Sequence, residues 1–164
     1  ALLHMGSSAQ DSGGPELGKA VSEADLSAFD LIAAPGGDGL PDGSGTAAEG
    51  EALYRQQCAS CHGIEGEGIA PNSRLTGGDM QAEGAPVKTV GSYWPHASTL
   101  FDFIRRAMPA NAPKSLTNDQ AYQATAYILH LNGLLGRDER LDRQRLLQVE
   151  MPNADGFIDR SELH

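Results

Sequence analysis

The run Cys58-Ala59-Ser60-Cys61-His62 constrains this chain more than any other five residues in it. Two cysteines three positions apart on one helical turn present both thiols to the same side, and the next residue projects beside them. At this spacing two thiols reach the vinyl groups of one porphyrin while the adjoining imidazole binds its iron, which is the c-type haem attachment pattern. Two other chemistries use paired cysteines. A redox dithiol sits at a helix N-terminus after a strand, whereas this pair closes a helix. A structural zinc site needs four ligands, and His4, His96, His130 and His164 form no second ligand pair. Cys58 and Cys61 are therefore expected to hold one covalent haem c, with His62 on the iron. They are the only cysteines in the 164 residues, so a disulfide framework is not available.

Hydrophobic residues make up 40% of the chain but aromatics only 5%. A core of that kind is modest, and a large buried cofactor would supply apolar surface to complete it. The formal net charge of −10 disfavours nucleic acid and anionic membrane surfaces, and suits either simple solubility or a partner with a basic docking face. No stretch approaches the length of a membrane span. Ala1–Gln10 lacks a basic region followed by a long apolar run, so any signal peptide is expected to have been removed.

Three helices are legible in the middle of the chain. Thr46–Gln57 opens with Thr46 and Glu49 at capping-box spacing and runs into the cysteine motif. Ser98–Ala107 places Leu100, Phe103, Ile104 and Ala107 on one face and stops at Met108-Pro109. Thr117–Leu131 opens with a second capping box, Thr117 and Gln120, and stops at Asn132-Gly133. Residues 63–91 read as one long loop, of a length that implies a function such as wrapping a planar cofactor. Residues 1–45 are rich in Gly, Ser, Asp and Pro and read as an N-terminal extension. It carries one short helix over Val21–Asp30, and Ala1–Gly14 reads as a mobile tail or a cloning remnant. Residues 46–136 form the domain, and 137–164 a C-terminal arm with a short charged helix over Arg137–Glu150. Asn153, Asp155, Gly156, Ile158, Asp159 and Glu162 match part of a calcium-binding loop, but Met151 stands where its first aspartate belongs, so a packed arm is the expectation.

An electron carrier needs a sixth iron ligand, and a methionine thioether, being soft, stabilises the reduced ion. Met108 ends an amphipathic helix and is braced by Pro109, which makes it the first candidate. Met80, His96, an open iron site, and a plain packing role for Met108 are the alternatives.

These residues together resemble a class I cytochrome c. The resemblance rests on Gly50, Tyr54, Cys58, Cys61 and His62 at their spacing, then Pro71, Met108-Pro109 and an aromatic helix with Tyr127, across residues 46–135. It implies an all-α, class I cytochrome c fold: three core helices around one haem, with long loops and N- and C-terminal arms. It also implies a close crossing of the first and last helices at Gly50 and Tyr127. The Pro71 carbonyl would accept a hydrogen bond from the other nitrogen of His62. A narrower resemblance, carried by TVGSYWPHASTLFDFIRRAMPANAPKSLTNDQAYQATAYILHLNGLL and the flanking SEADLSAFDLIAAPGGDGLPDGSG and VEMPNADGF, is to the cytochrome subunits and acceptors of sulfite and sulfane dehydrogenases. It implies that Trp94 donates to a haem propionate, with plain core packing as the alternative. Arg74, Arg105 and Arg106 suit propionates or a partner, or simple solvation. The same resemblance implies a periplasmic carrier of single electrons, not itself an enzyme. Its donor would be a sulfite- or sulfane-dehydrogenase-type molybdenum enzyme, and its acceptor another cytochrome or an oxidase. Two alternatives stay open: a peroxidase- or sensor-like domain with a free iron position, and the cytochrome subunit of some other dehydrogenase.

Overall fold

The computed structural model describes residues 18–27 and 29–158. The Ala1–Gly14 tail, and Asp159 and Glu162 of the partial calcium pattern, lie outside the described residues. The chain divides into two units, Ala1–Asp30 and Leu31–His164.

In the first unit the expected Val21–Asp30 helix is one turn, α1 (Glu23–Ser27). The Ser22 hydroxyl accepts from the Asp25 N–H at 3.2 Å, and the Asp25 carboxylate accepts from the Ser22 N–H at 3.1 Å. The start signal is obeyed, but none of its residues is buried, and an isolated turn without packing does not propagate.

The second unit contains β1 (Ser44–Gly45), α2 (Ala47–Gln57), α3 (Ala59–His62), α4 (Ala97–Ala107), α5 (Asn118–Leu131), β2 (Leu141–Asp142) and α6 (Arg143–Leu147). β1 and β2 pair antiparallel, Ser44 opposite Asp142 and Gly45 opposite Leu141. Both capping boxes form. Glu49 N–H donates to Thr46 Oγ1 at 3.2 Å and Gln120 N–H to Thr117 Oγ1 at 3.2 Å, with each long side chain reaching back to its cap N–H. Thr117→Ala is expected to lower stability by about 1 kcal/mol, read as a lower midpoint in urea unfolding.

The core is the crossing of α2 and α5 with α4 laid on α5. At Gly50 a Cβ would stand 2.0 Å from the Gln123 carbonyl oxygen and 3.0 Å from Tyr127 Cβ, so the two backbones touch where glycine permits it. Tyr54 and Tyr127 meet beside that crossing, ring centroids 5.0 Å apart, and Phe101 meets Tyr122 at 4.4 Å. On α4 the buried stripe is Leu100, Phe101 and Ile104, while Phe103 is 43% exposed. The helical spacing predicts Phe103 inward, and the structure turns it out. Phe101 takes that place because it shares the face of Ile104 three residues on. Asp102, also buried, accepts from the Ala33 N–H and from Arg106 Nε, both at 2.8 Å. Burial pushes its carboxyl up, but the bonds from Arg106 and Ala33 outweigh that and hold its pKa below the ordinary value.

Among the described residues of the C-terminal arm, the expected Arg137–Glu150 helix is only α6, Arg143–Leu147, started by Asp142, whose side chain accepts from the Arg145 N–H at 2.8 Å. Leu141, Leu146 and Met151 enter the main apolar cluster. Among the described residues, no helix is long and apolar enough to cross a membrane.

Candidate functional site

α2 delivers the motif. The Cys58 N–H closes the last turn of α2 on the Tyr54 carbonyl at 2.8 Å, and the Cys58 carbonyl then accepts from the N–H groups of both Cys61 and His62, at 3.1 and 3.0 Å. Cys58, Cys61 and His62 thus share the single turn of α3. The buried Tyr54 hydroxyl donates to the Gly63 carbonyl at 3.0 Å, tying α2 to the residue after the motif. Both thiols are free, Cys58 half-buried and Cys61 exposed. Burial, with the neighbouring Cys61 adding to it, pushes the Cys58 thiol up to about 11. It is therefore uncharged at neutral pH, the opposite of what thiol–disulfide exchange requires. Among the described residues no three His, Cys, Asp or Glu side chains gather to hold a bare metal ion, so the motif does not converge as a zinc site would.

His62 Nδ1 lies 2.8 Å from a backbone carbonyl. A carbonyl brings no proton, so Nδ1 carries the hydrogen and Nε2 keeps its lone pair for a metal. The acceptor is the carbonyl of Ser73, not that of Pro71 as the family resemblance implied. The turn closed by Asn72 N–H on the Ile69 carbonyl at 2.8 Å carries the chain past the exposed Pro71 and brings Ser73 to the ring. The same loop is pinned to the motif by Gly68 N–H to the His62 carbonyl, 2.7 Å, and Ile69 N–H to the Cys61 carbonyl, 3.1 Å. Farther along, Asn132 at the end of α5 holds it. Asn132 Oδ1 accepts from Gly77 N–H, and Nδ2 donates to the Leu75 carbonyl, each at 3.2 Å. The sequence reading saw Asn132 only as a helix stop. A polar side chain that caps a helix and also clamps a loop 55 residues upstream leaves no local pattern to read.

The remaining predicted residues fall as follows. Met108 caps α4 in extended conformation, φ −114° and ψ 149°, and Pro109 behind it is buried. Met151 is a packed core residue, 4% exposed, and Met80 sits half-buried in the loop. His96 precedes α4 as an exposed N-cap residue whose side chain makes no capping bond. Trp94 stands edge-on to Phe103, centroids 5.9 Å apart, and among the described residues its indole N–H has no acceptor. Arg74 is exposed and likewise forms no ion pair among the described residues. Arg105 and Arg106 are committed elsewhere, Arg105 to the Leu31 carbonyl at 3.0 Å and Arg106 to Asp102. Tyr127 is buried against Tyr54, and burial raises its pKa.

These residues fit a haem. Two cysteine sulfurs and an imidazole whose Nε2 keeps its lone pair share one turn. Ile69, pinned to that turn, is 47% exposed and offers apolar surface beside it. Trp94 and Arg74 offer donors suited to carboxylates. A cleft of about 480 Å³ lined by Asp42, Gly43, Asp142, Arg143, Gln144 and Leu147 shares no residue with this site.

Comparison with known proteins gives three findings. The family model described as cytochrome c oxidase, cbb3-type, subunit III, matches residues 45–128, about half of the chain. A thiosulfate dehydrogenase from Allochromatium vinosum is 28% identical over 102 residues, covering 54% of this chain. The chain spans about a third, 31%, of that relative's length. In the crystal structure of the sulfane dehydrogenase SoxCD from Paracoccus pantotrophus, one chain matches with a TM-score of 0.81 and 41% identity, over 90% of this chain and 74% of that one.

Proposed function

Because the chain belongs to the cytochrome c family described as cytochrome c oxidase, cbb3-type, subunit III, we propose that it is a periplasmic monohaem electron carrier that accepts electrons from a sulfite or sulfane dehydrogenase. Its fold is the class I cytochrome c fold, all-α but for one two-residue strand pair. The observation that carries the haem reading is the α3 turn, where His62 Nδ1 is tied to Ser73 at 2.8 Å and Nε2 is left for iron beside the Cys58 and Cys61 sulfurs. The donor reading rests on the 41% identity to a chain of a sulfane dehydrogenase across nearly the whole length.

Haem c, when bound, supplies an iron that gains and loses one electron. The chain does the rest. Cys58 and Cys61 would hold the macrocycle through thioethers, His62 and Met108 would offer its iron an imidazole nitrogen and a thioether sulfur, and Trp94 and Arg74 would donate to its propionates. Tyr127, with Tyr54, packs the α2–α5 crossing behind the attachment turn, and Pro71 shapes the loop that presents Ser73. With both iron ligands supplied by protein side chains, coordination would change little between oxidation states, and no substrate bond is broken by this chain. Electrons leave to another cytochrome or an oxidase.

Matured in a competent host, the protein is expected to give a pyridine haemochrome of one haem per chain; colourless protein overturns the haem reading. Stopped-flow mixing with a sulfite or sulfane dehydrogenase and its substrate is expected to reduce the haem rapidly. With a net charge of −10 and a basic docking face on the donor, the second-order rate should fall about tenfold between 10 mM and 200 mM salt. A haem that stays oxidised with every such enzyme overturns the donor assignment.

A further inference from the structure

The segment after α6 meets Tyr93 twice. Met151 anchors it in the core, and the turn that follows is closed by Ala154 N–H to the Met151 carbonyl and Gly156 N–H to the Asn153 carbonyl, both at 3.1 Å. From this turn Asn153 Nδ2 donates to the Tyr93 carbonyl at 2.7 Å, and Phe157 lays its ring edge-on to Tyr93, centroids 5.2 Å apart. The Lys88 ammonium sits over the same Tyr93 ring at 4.7 Å. Phe157 remains 47% exposed, so it adds little to the core, and the aromatic contact it makes is with Tyr93. The next residue is Trp94, which meets Phe103 of α4, the helix that ends at Met108.

We propose that Met151–Phe157 is a strap that positions Trp94, acting through the bond from Asn153 to the Tyr93 carbonyl, and that it sets solvent access on the Met108 side of the haem. This rests on the reading above, in which Trp94 lies against the haem. Asn153 is a positioning residue: it holds the backbone from which Trp94 projects. Without that bond the Tyr93-Trp94 unit shifts and water enters. Water favours the ferric state, which carries one more positive charge, so the potential falls.

The test uses the matured, haem-loaded protein carrying Asn153→Ala. Poised at the wild-type midpoint potential, its ferric-to-ferrous ratio is expected to rise about threefold. Gly156→Ala is a second route to the same state with Asn153 still present, because the added Cβ would lie 1.9 Å from Asn153 Oδ1. It should reproduce the shift. In a Trp94→Phe background, Asn153→Ala should add no further shift, since coupled residues are not additive. Thr117→Ala, which loosens the far end of α5, should leave the ratio unchanged and so separates positioning from general loss of stability. An unchanged ratio in both Asn153→Ala and Gly156→Ala overturns the strap, as does a full shift in the Trp94→Phe background. Wild-type protein without haem, or a potential indifferent to Trp94→Phe, overturns instead the reading on which the strap depends.

Discussion

Met108→Ala is expected to leave the haem attached and to lower the midpoint potential by on the order of 0.2 V, a substantial part of the ~0.8 V that axial ligands command. On the proposed reading attachment rests on Cys58 and Cys61, which this substitution leaves in place, so colour and haemochrome should persist. The sign follows from the thioether. A soft, neutral sulfur stabilises ferrous iron, and replacing it by water or hydroxide removes that preference and favours the ferric state. Met108 suits the task because its backbone is fixed on both sides. It leaves α4 in extended conformation with its N–H still bonded to the Ile104 carbonyl at 3.1 Å, and buried Pro109 opens a turn closed by Ala112 N–H at 2.9 Å. Redox titration checks the shift, and carbon monoxide should bind the ferrous variant readily while wild type resists it. An unchanged potential would move the sixth ligand to Met80 or His96. Rapid carbon monoxide binding by wild type would favour an open iron site.

The helices were legible because their signals are local. Thr46 with Glu49 and Thr117 with Gln120 mark helix starts by side-chain chemistry that needs no tertiary context, and both boxes form as read. The fold class followed from a five-residue motif plus a glycine, a proline and an aromatic at family spacing. What escaped were features fixed by partners distant in sequence. The β1–β2 pair joins residues 44–45 to 141–142, too short to leave an alternating pattern. Phe103 and Phe101 both satisfied a helical period, and only the packing of α4 on α5 decided which one is buried. Ser73 as the acceptor for His62 depends on where a loop turn ends, and a backbone carbonyl carries no side-chain signature. Asn153 is a similar case: its place in an incomplete calcium-loop pattern carries no trace of the bond it makes to the Tyr93 carbonyl.

Gly50→Ala should destabilise the protein by about 3 kcal/mol, against the trend expected for a helix. On propensity alone, alanine in place of a mid-helix glycine stabilises by about 1 kcal/mol. Here the new Cβ would stand 2.0 Å from the Gln123 carbonyl oxygen and 2.7 Å from its carbon. Both are backbone atoms of α5, so no side chain can rotate away and one helix must move. Moving α2 also moves Cys58, whose N–H closes on Tyr54 at 2.8 Å, and therefore the thiols and imidazole of α3. The clash thus costs stability and also loosens the attachment turn, so the yield of covalently loaded protein should fall together with the unfolding midpoint. Guanidinium unfolding followed by haem absorbance measures the first and haemochrome per chain the second. Gly36→Ala is the control, because a Cβ there meets nothing within 4 Å and should be neutral or slightly stabilising. If Gly50→Ala were as stable as Gly36→Ala, the α2–α5 crossing would be wider than described. The position of the attachment turn would then have to be fixed by something other than the contact of these two helices.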